Sequence, residues 1–223
     1  MAHSRRMFFR GALAGVAAAA VTGQTLRRSA SAQTSLTPDA AVQQLIDGNA
    51  RFAEGRMTSF EEDLSILKAK TVAKQEPFAA VLSCADSRVP VELIFDQSIG
   101  HVFVTRVAGN IATSEMIASL EYGAAVLGTK AIIVLGHVNC GAVKASIEAK
   151  AVPGQISALY RYIRQAVDQA GPDLEATIKA NAKIQAGLLR QSSPVLAEHI
   201  KQGQLKIVAG YYDLASGRVT VLG

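Results

Sequence analysis

The sequence predicts an α/β domain: a mainly parallel central sheet of about four strands with an antiparallel edge strand, flanked by helices and preceded by a helical N-terminal extension. Three observations predict it. Short, almost wholly apolar runs, Phe78–Ser83 and Ala131–Gly136, read as strands covered on both faces. Strand runs alternate with stretches of helical periodicity, the pattern of parallel crossovers. The last run, Arg218–Leu222, follows Leu205–Tyr212 closely and reads as a hairpin edge. A chain of 223 residues, 49% hydrophobic, is long enough for a real core and too apolar for disorder.

The elements follow in order. Thr37-Pro38-Asp39 supplies an N-cap, a proline at the first helical position and an early acid. Ala41, Leu45, Asn49 and Phe52 then give an amphipathic helix to about Gly55. Asp63–Lys74 reads as a second helix. This helical stretch, 37–74, precedes the first strand and suits packing on a neighbouring subunit as well as on its own. After Phe78–Ser83 come a short helix at Val89–Asp96, a strand at His101–Arg106, and a helix at Thr113–Leu127 stopped by Gly128. Ala131–Gly136 is the clearest buried strand. Cys140–Lys150, Ile156–Gln169, Asp173–Gln191 and Pro194–Gln202 read as helices before the two final strands.

The net charge of +5 would point toward nucleic acid, but its placement argues otherwise. Five of the 23 cations, Arg5, Arg6, Arg10, Arg27 and Arg28, lie in the first 32 residues, which contain no acid. A basic start, the apolar run Gly11–Val21 and the small-residue end Ala30-Ser31-Ala32 are the parts of a cleavable export signal. Arg5-Arg6 followed by Phe8-Phe9 resembles a twin-arginine signal. The apolar run is short of the roughly 20 residues of a bilayer span. Cleavage after Ala32 leaves one domain, 33–223, with 18 cations against 18 anions. The expected mature protein is neutral and periplasmic or secreted, with no charge argument for nucleic acid or a membrane surface.

Chemistry concentrates where strands end. Cys84 follows one apolar strand; His137 and Cys140 follow another, with Cys140 entering a helix. Ligand sites of open parallel sheets collect outside the carboxyl ends of strands, so these three side chains can converge. Two thiolates and an imidazole are a catalytic zinc ligand set with a fourth position left for water. A helix N-terminus at Cys140 also favours its thiolate. Two alternatives stay open here. One is a disulfide closing a loop of 55 intervening residues, worth about 4 kcal/mol; the other is a pair of buried free thiols. Beside Cys84, Asp86 and Arg88 form either a turn-bracing ion pair or groups working next to a metal. His101, at a strand start, reads as a surface histidine or a proton shuttle; His3 lies in the signal and His199 late in a helix.

Cys84-Ala85-Asp86-Ser87-Arg88-Val89, followed by Gly136-His137-Val138-Asn139-Cys140-Gly141, resembles the β-class carbonic anhydrases. The resemblance extends through Arg106-Val107-Ala108-Gly109-Asn110 and covers roughly 37–213. It implies one zinc held by Cys84, His137 and Cys140, and a catalytic Asp86–Arg88 dyad. In the family's open subtype a glutamine, a phenylalanine and a tyrosine line the CO2 pocket. Gln75, Phe103 and Tyr122 stand at the matching spacings, and Gly141 follows the second cysteine. The bicarbonate-regulated subtype carries a tryptophan where this chain has Val81, and the chain has no Trp.

The resemblance implies hydration of CO2 by a metal-generated hydroxide, a lyase reaction. Asp86 would aim the nucleophile, Arg88 would hold Asp86 ionised, Phe103 and Tyr122 would wall the pocket, and Gln75 would donate to a CO2 oxygen. A homodimer, or a tetramer of dimers, is expected, with the pocket at the subunit boundary. Two competing functions remain: hydrolysis of CS2 or carbonyl sulfide on the same scaffold, and a non-catalytic dithiol or structural-zinc protein.

Overall fold

The computed structural model describes residues 34–59 and 64–223. The export signal and Asp63 lie outside the described residues. Five strands form one sheet in the order β2-β1-β3-β4-β5. They are β1 (Ala79–Ser83), β2 (Val102–Arg106), β3 (Ala131–His137), β4 (Lys206–Tyr212) and β5 (Val219–Leu222). The first four run parallel, and β5 pairs antiparallel with β4.

Every residue of β1 and of β3 is buried, as expected of central strands covered on both faces. Side chains alternate between the two faces with the period of the strand. Ala79, Val81, Ala131, Ile133 and Leu135 point into a cluster with Ala41, Leu45, Ile94 and Phe95. Ala80, Leu82, Ile132 and Val134 point into another with Leu120, Ala182, Ala186 and Leu196. The first cluster is roofed by α1 (Pro38–Ala53) and α3 (Val91–Ile94). The second is roofed by α4 (Ser114–Ala125), α7 (Leu174–Ser192) and α8 (Pro194–Lys201).

α1 starts where Thr37 Oγ1 accepts the Ala40 N–H at 3.2 Å. Its Ala41 and Leu45 are fully buried against this chain's own sheet rather than held for a neighbour. Asn49, 3% exposed, fastens α1 in place. Its amide donates to the Ile94 and Gly217 carbonyls at 3.0 and 2.8 Å and accepts the Val219 N–H at 2.7 Å.

Several boundaries differ from the sequence reading for local reasons. α2 (Leu64–Thr71) stops short of Lys74. The helix expected over 89–96 shrinks to α3, which begins after Pro90 and ends before Asp96, whose φ of 45° is left-handed. The stretch 156–169 divides into a 3-10 turn, Ile156–Leu159, and α6 (Tyr160–Ala170). α5 (Gly141–Glu148) follows β3 directly after Cys140. No helix among the described residues is long and apolar enough to cross a membrane.

The strand order creates a switch point. From β1 the chain moves outward to β2 on one side, then returns to β3 on the other. The crevice outside the carboxyl ends of β1 and β3 is where such sheets bind ligands.

Candidate metal centre

Cys84 follows β1, His137 is the last residue of β3, and Cys140 caps α5, so all three arrive at that crevice. They are buried, and their ligand atoms lie within 4.8 Å of one another. Cys84 Sγ and Cys140 Sγ are 4.0 Å apart and both cysteines are free thiols. A disulfide needs about 2.04 Å, which removes the disulfide alternative. Two sulfurs on one tetrahedral zinc, each at about 2.3 Å, would stand about 3.8 Å apart. The observed spacing fits that edge.

His137 supplies the second test of fit. Its ring Nδ1 lies 3.0 Å from the Val138 carbonyl, which places the ring proton there and leaves Nε2 as a lone pair. Nε2 is buried and has no hydrogen-bond partner among the described residues. A buried acceptor costs free energy unless something meets it, and a cation seated between the two sulfurs would. The two thiols also influence each other. Hydrogen bonding from Cys140 pushes the Cys84 thiol down, assisted by His137 and by the Gly109 N–H, while the same contact and burial push Cys140 up. A divalent cation held by both sulfurs overrides that split, because a coordinating thiol is deprotonated outright.

Asp86 and Arg88 stand at the mouth. Asp86 Oδ1 accepts the Arg88 Nε–H and backbone N–H, both at 2.9 Å, and Oδ2 accepts Nη2–H at 2.8 Å. This fork holds the Asp86 carboxyl well below the usual carboxylate range. Arg88 also reaches the Asn139 carbonyl at 3.4 Å, tying the loop after β1 to the loop after β3. Asp86 Oδ2 lies 3.9 Å from His137 Nε2. Gly141, the first residue of α5, leaves open space beside Cys140: a Cβ there would meet no atom within 4 Å.

A family model described as carbonic anhydrase matches residues 79–219, which span β1 to β4, the first residue of β5 and every group just described. The chain belongs to the carbonic anhydrase family. Carbonic anhydrase 2 of Mycobacterium tuberculosis is 34% identical over 198 residues, covering 82% of this chain and 92% of its own length. A carbonic anhydrase of Pseudomonas aeruginosa is 32% identical over 195 residues, covering 80% of this chain and 86% of its own. Among solved structures, the Coccomyxa β-carbonic anhydrase in complex with acetazolamide is 27% identical with a TM-score of 0.64, over 81% of this chain and 86% of that one. The β-carbonic anhydrase CcaA is 28% identical with a TM-score of 0.64, over 82% and 95%. Carbonic anhydrases of the β-class are zinc enzymes, and the Cys-His-Cys cluster is suited to one zinc per chain.

The residues expected to line the carbonic anhydrase's CO2 pocket do not join the metal cluster within one chain. Phe103 is level with Ala80, near the start of β1. Cys84 lies four residues further along, roughly 13 Å at the rise of a strand. Gln75 precedes β1 and is exposed, and it lines a surface cavity of about 430 Å³ together with Tyr122. The Tyr122 ring, 47% exposed, leans on Phe103 at 6.3 Å. Gln75, Phe103 and Tyr122 therefore come together with one another, at the amino ends of the strands, while the thiols and imidazole sit at the carboxyl ends. His101, just before β2, is at the amino ends too, which removes it as a proton shuttle for its own chain's metal centre. His199 faces Gln204 at 3.1 Å, late in α8.

Sequence reasoning missed the groups that hold the loops. Arg106 donates to the Cys84 carbonyl at 3.0 Å and to the Asp86 carbonyl at 2.6 Å, fastening the loop after β1. It stands in the Arg106–Asn110 motif, so its signal was present without a role. Asn181 and Gln185 on α7 hold the neighbouring loop, and nothing in their helical context marks them out.

Proposed function

We propose that this carbonic anhydrase catalyses the reversible hydration of CO2 to bicarbonate and a proton, with Cys84, His137 and Cys140 holding zinc and Asp86 and Arg88 directing the reaction. The observation that carries the reading is the forked Asp86 carboxylate, 3.9 Å from an unpartnered His137 Nε2. Zinc bound there supplies a Lewis acid that makes water a nucleophile at neutral pH. Two thiolates cancel the cation's charge, so a protein group that orients the nucleophile carries more of the work. Asp86, kept ionised by Arg88, accepts a hydrogen bond from the nucleophile's O–H and turns its lone pair toward CO2. Arg88 holds that carboxylate in one orientation through two parallel N–H donors. The open space beside Gly141 leaves room at the mouth for the small substrate.

The separation of Gln75, Phe103 and Tyr122 from the metal centre bears on assembly. A pocket that combines both sets takes the metal from one chain and the aromatic wall from another. We therefore read the working unit as a homodimer or a tetramer built from it. Tetrameric β-carbonic anhydrases occur among the proteins of this fold. We also propose that residues 1–32 direct export by a twin-arginine route and that the mature periplasmic or secreted domain begins at Gln33. Export of an already folded, metal-loaded chain would spare two thiols 4.0 Å apart from the oxidant outside.

Stopped-flow CO2 hydration on the zinc-loaded protein tests the reaction, and no rate above background would overturn it. Carbonyl sulfide turnover exceeding CO2 turnover would shift the substrate. N-terminal sequencing of exported protein should begin at Gln33, and an intact Met1 there would sink the export reading.

A further inference from the structure

We infer that Asn181, in the middle of α7, is a positioning residue for the metal centre, acting on the Cys84 sulfur through the backbone of Gly109. The inference rests on the zinc assignment and not on the reaction. Val107 to Asn110 form a β-turn closed by the Asn110 N–H on the Val107 carbonyl at 2.9 Å. Its third residue, Gly109, has φ +80°, the value of a type II turn, which L side chains rarely adopt. The central peptide of a type II turn is flipped relative to type I, so this conformation decides which way the Gly109 N–H points. Here it donates to Cys84 Sγ at 3.3 Å.

The same glycine is gripped from its other side. Asn181 Nδ2 donates to the Gly109 carbonyl at 2.9 Å, with Asn181 only 1% exposed. Asn181 is itself held, because Gln185 Nε2 donates to Asn181 Oδ1 at 3.2 Å and to the Tyr162 carbonyl at 2.9 Å. Gln185 Oε1 accepts the Ala112 N–H at 2.9 Å. Two amides on adjacent turns of α7 thus span the loop from Gly109 to Ala112. Space reinforces the clamp: a Cβ on Gly109 would stand 2.8 Å from Ile163 and 3.3 Å from Ala142.

The same face of α7 bears on a second ligand. Ile178 and Ala182, flanking Asn181, press on Gly136 so closely that a Cβ there would stand 3.1 and 3.4 Å from them. Gly136 immediately precedes His137. One helix therefore sets the backbone beneath the imidazole by contact and the donor to Cys84 by hydrogen bonding. An N–H on a coordinating sulfur draws off part of its charge and orients its lone pairs, and partners of this kind typically change metal affinity 10–100-fold when lost.

Cadmium-113 in place of zinc makes the link visible without any assay of turnover. In the cadmium-loaded protein the Gly109 amide proton should show a through-bond coupling to the metal across the N–H···S contact; its absence would overturn the inference. By reciprocity of coupling, loading the metal should slow hydrogen exchange of the Asn181 side-chain amide more than that of Asn49, a buried amide remote from the centre. Equal slowing at both would assign Asn181 a purely structural part. Asn181→Asp, isosteric but without the donor, should weaken metal retention against a chelator about tenfold and diminish the Gly109 coupling. A folded variant with unchanged retention and coupling would overturn the inference, and if this variant does not fold, the two wild-type measurements still decide. A wild-type protein that binds neither zinc nor cadmium would instead defeat the metal assignment on which the inference rests.

Discussion

Asp86 Oδ2 stands 3.9 Å from His137 Nε2, beyond hydrogen-bond reach yet close enough for both atoms to meet one small group between them. Asp86 is not idle in that gap. Arg88 engages both of its oxygens, so the carboxylate cannot swing toward the ring without breaking a fork of three hydrogen bonds.

Asp86→Asn should therefore separate metal binding from turnover. The amide replaces an acceptor facing Arg88 with a donor, breaks the fork and loses the charge. Zinc content by elemental analysis should stay at one per chain, while CO2 hydration falls on the order of 100-fold, the scale of a lost proton-handling group. Loss of zinc in this variant would place Asp86 among the ligands instead.

His137→Ala acts on the opposite side of that division. It removes the lone pair that has no partner among the described residues and leaves two sulfurs, too few for a tetrahedral zinc with one open position. Zinc retention should fall by more than the roughly 10–100-fold typical of an outer partner. Both Cys84 and Cys140 should then react with a thiol reagent in the folded protein, whereas the zinc-loaded wild type should react slowly.

How far the sequence reveals this centre depends on what kind of signal each group leaves. β1 and β3 are legible because burial on both faces leaves no polar position, and their ends are marked by the chain's two cysteines. The strand-to-ligand spacing follows from there. Gln75, Phe103 and Tyr122 were legible as a set, and chain order puts Gln75 ahead of the first strand and Cys84 behind it; what one chain's order does not carry is which chain's metal the set faces. Asn181 and Gln185 left no mark. Their partners are backbone groups 72 and 73 residues away in sequence, and amides on a long helix read as ordinary polar positions. The division of 156–169 into a 3-10 turn and α6 was hidden because both share an i, i+3 apolar spacing.

Asp96 predicts a pH dependence of stability. Burial pushes its carboxyl up, but the Ser59 and Thr58 N–H groups and the Arg51 guanidinium outweigh burial and hold it at about 2, against an ordinary 3.8. A carboxyl depressed on folding contributes stability that is fully present above the unfolded value and lost as pH falls through the folded one. That difference is worth at most about 2 kcal/mol. Urea midpoints of wild type and Asp96→Asn should differ by a constant amount above about pH 4 and converge between pH 4 and 2. Parallel curves through that range would refute the assignment.

Asn49→Ala tests the α1 fastening. It leaves the Ile94 and Gly217 carbonyls without their donor and the Val219 N–H without its acceptor, all within a site 3% exposed. Unfolding free energy should drop by about 2–4 kcal/mol, the sum expected for several unmet buried groups. Zinc content should not change, since Asn49 packs with the cluster on the α1 face and not with the one around Cys84 and Cys140.

The placement of Gln75 makes the shared pocket testable by mixing two inactive chains. A His137→Ala chain lacks its metal but keeps Gln75; a Gln75→Ala chain keeps its metal but lacks the pocket donor. If the pocket took both groups from one chain, a mixture would be no more active than its parts. If it spans two chains, a mixed dimer holds one complete pocket, with the metal from the Gln75→Ala chain and Gln75 from the other. Random pairing of equal amounts makes half the dimers mixed, each with one intact site of two, so activity should recover to about a quarter of wild type. Dissociation and reassociation of the two variants, followed by stopped-flow CO2 hydration, measures it. The chain's own geometry favours recovery: Gln75 and Phe103 lie at the amino ends of the strands and Cys84 beyond the carboxyl end of β1, and a five-residue strand cannot bring them together.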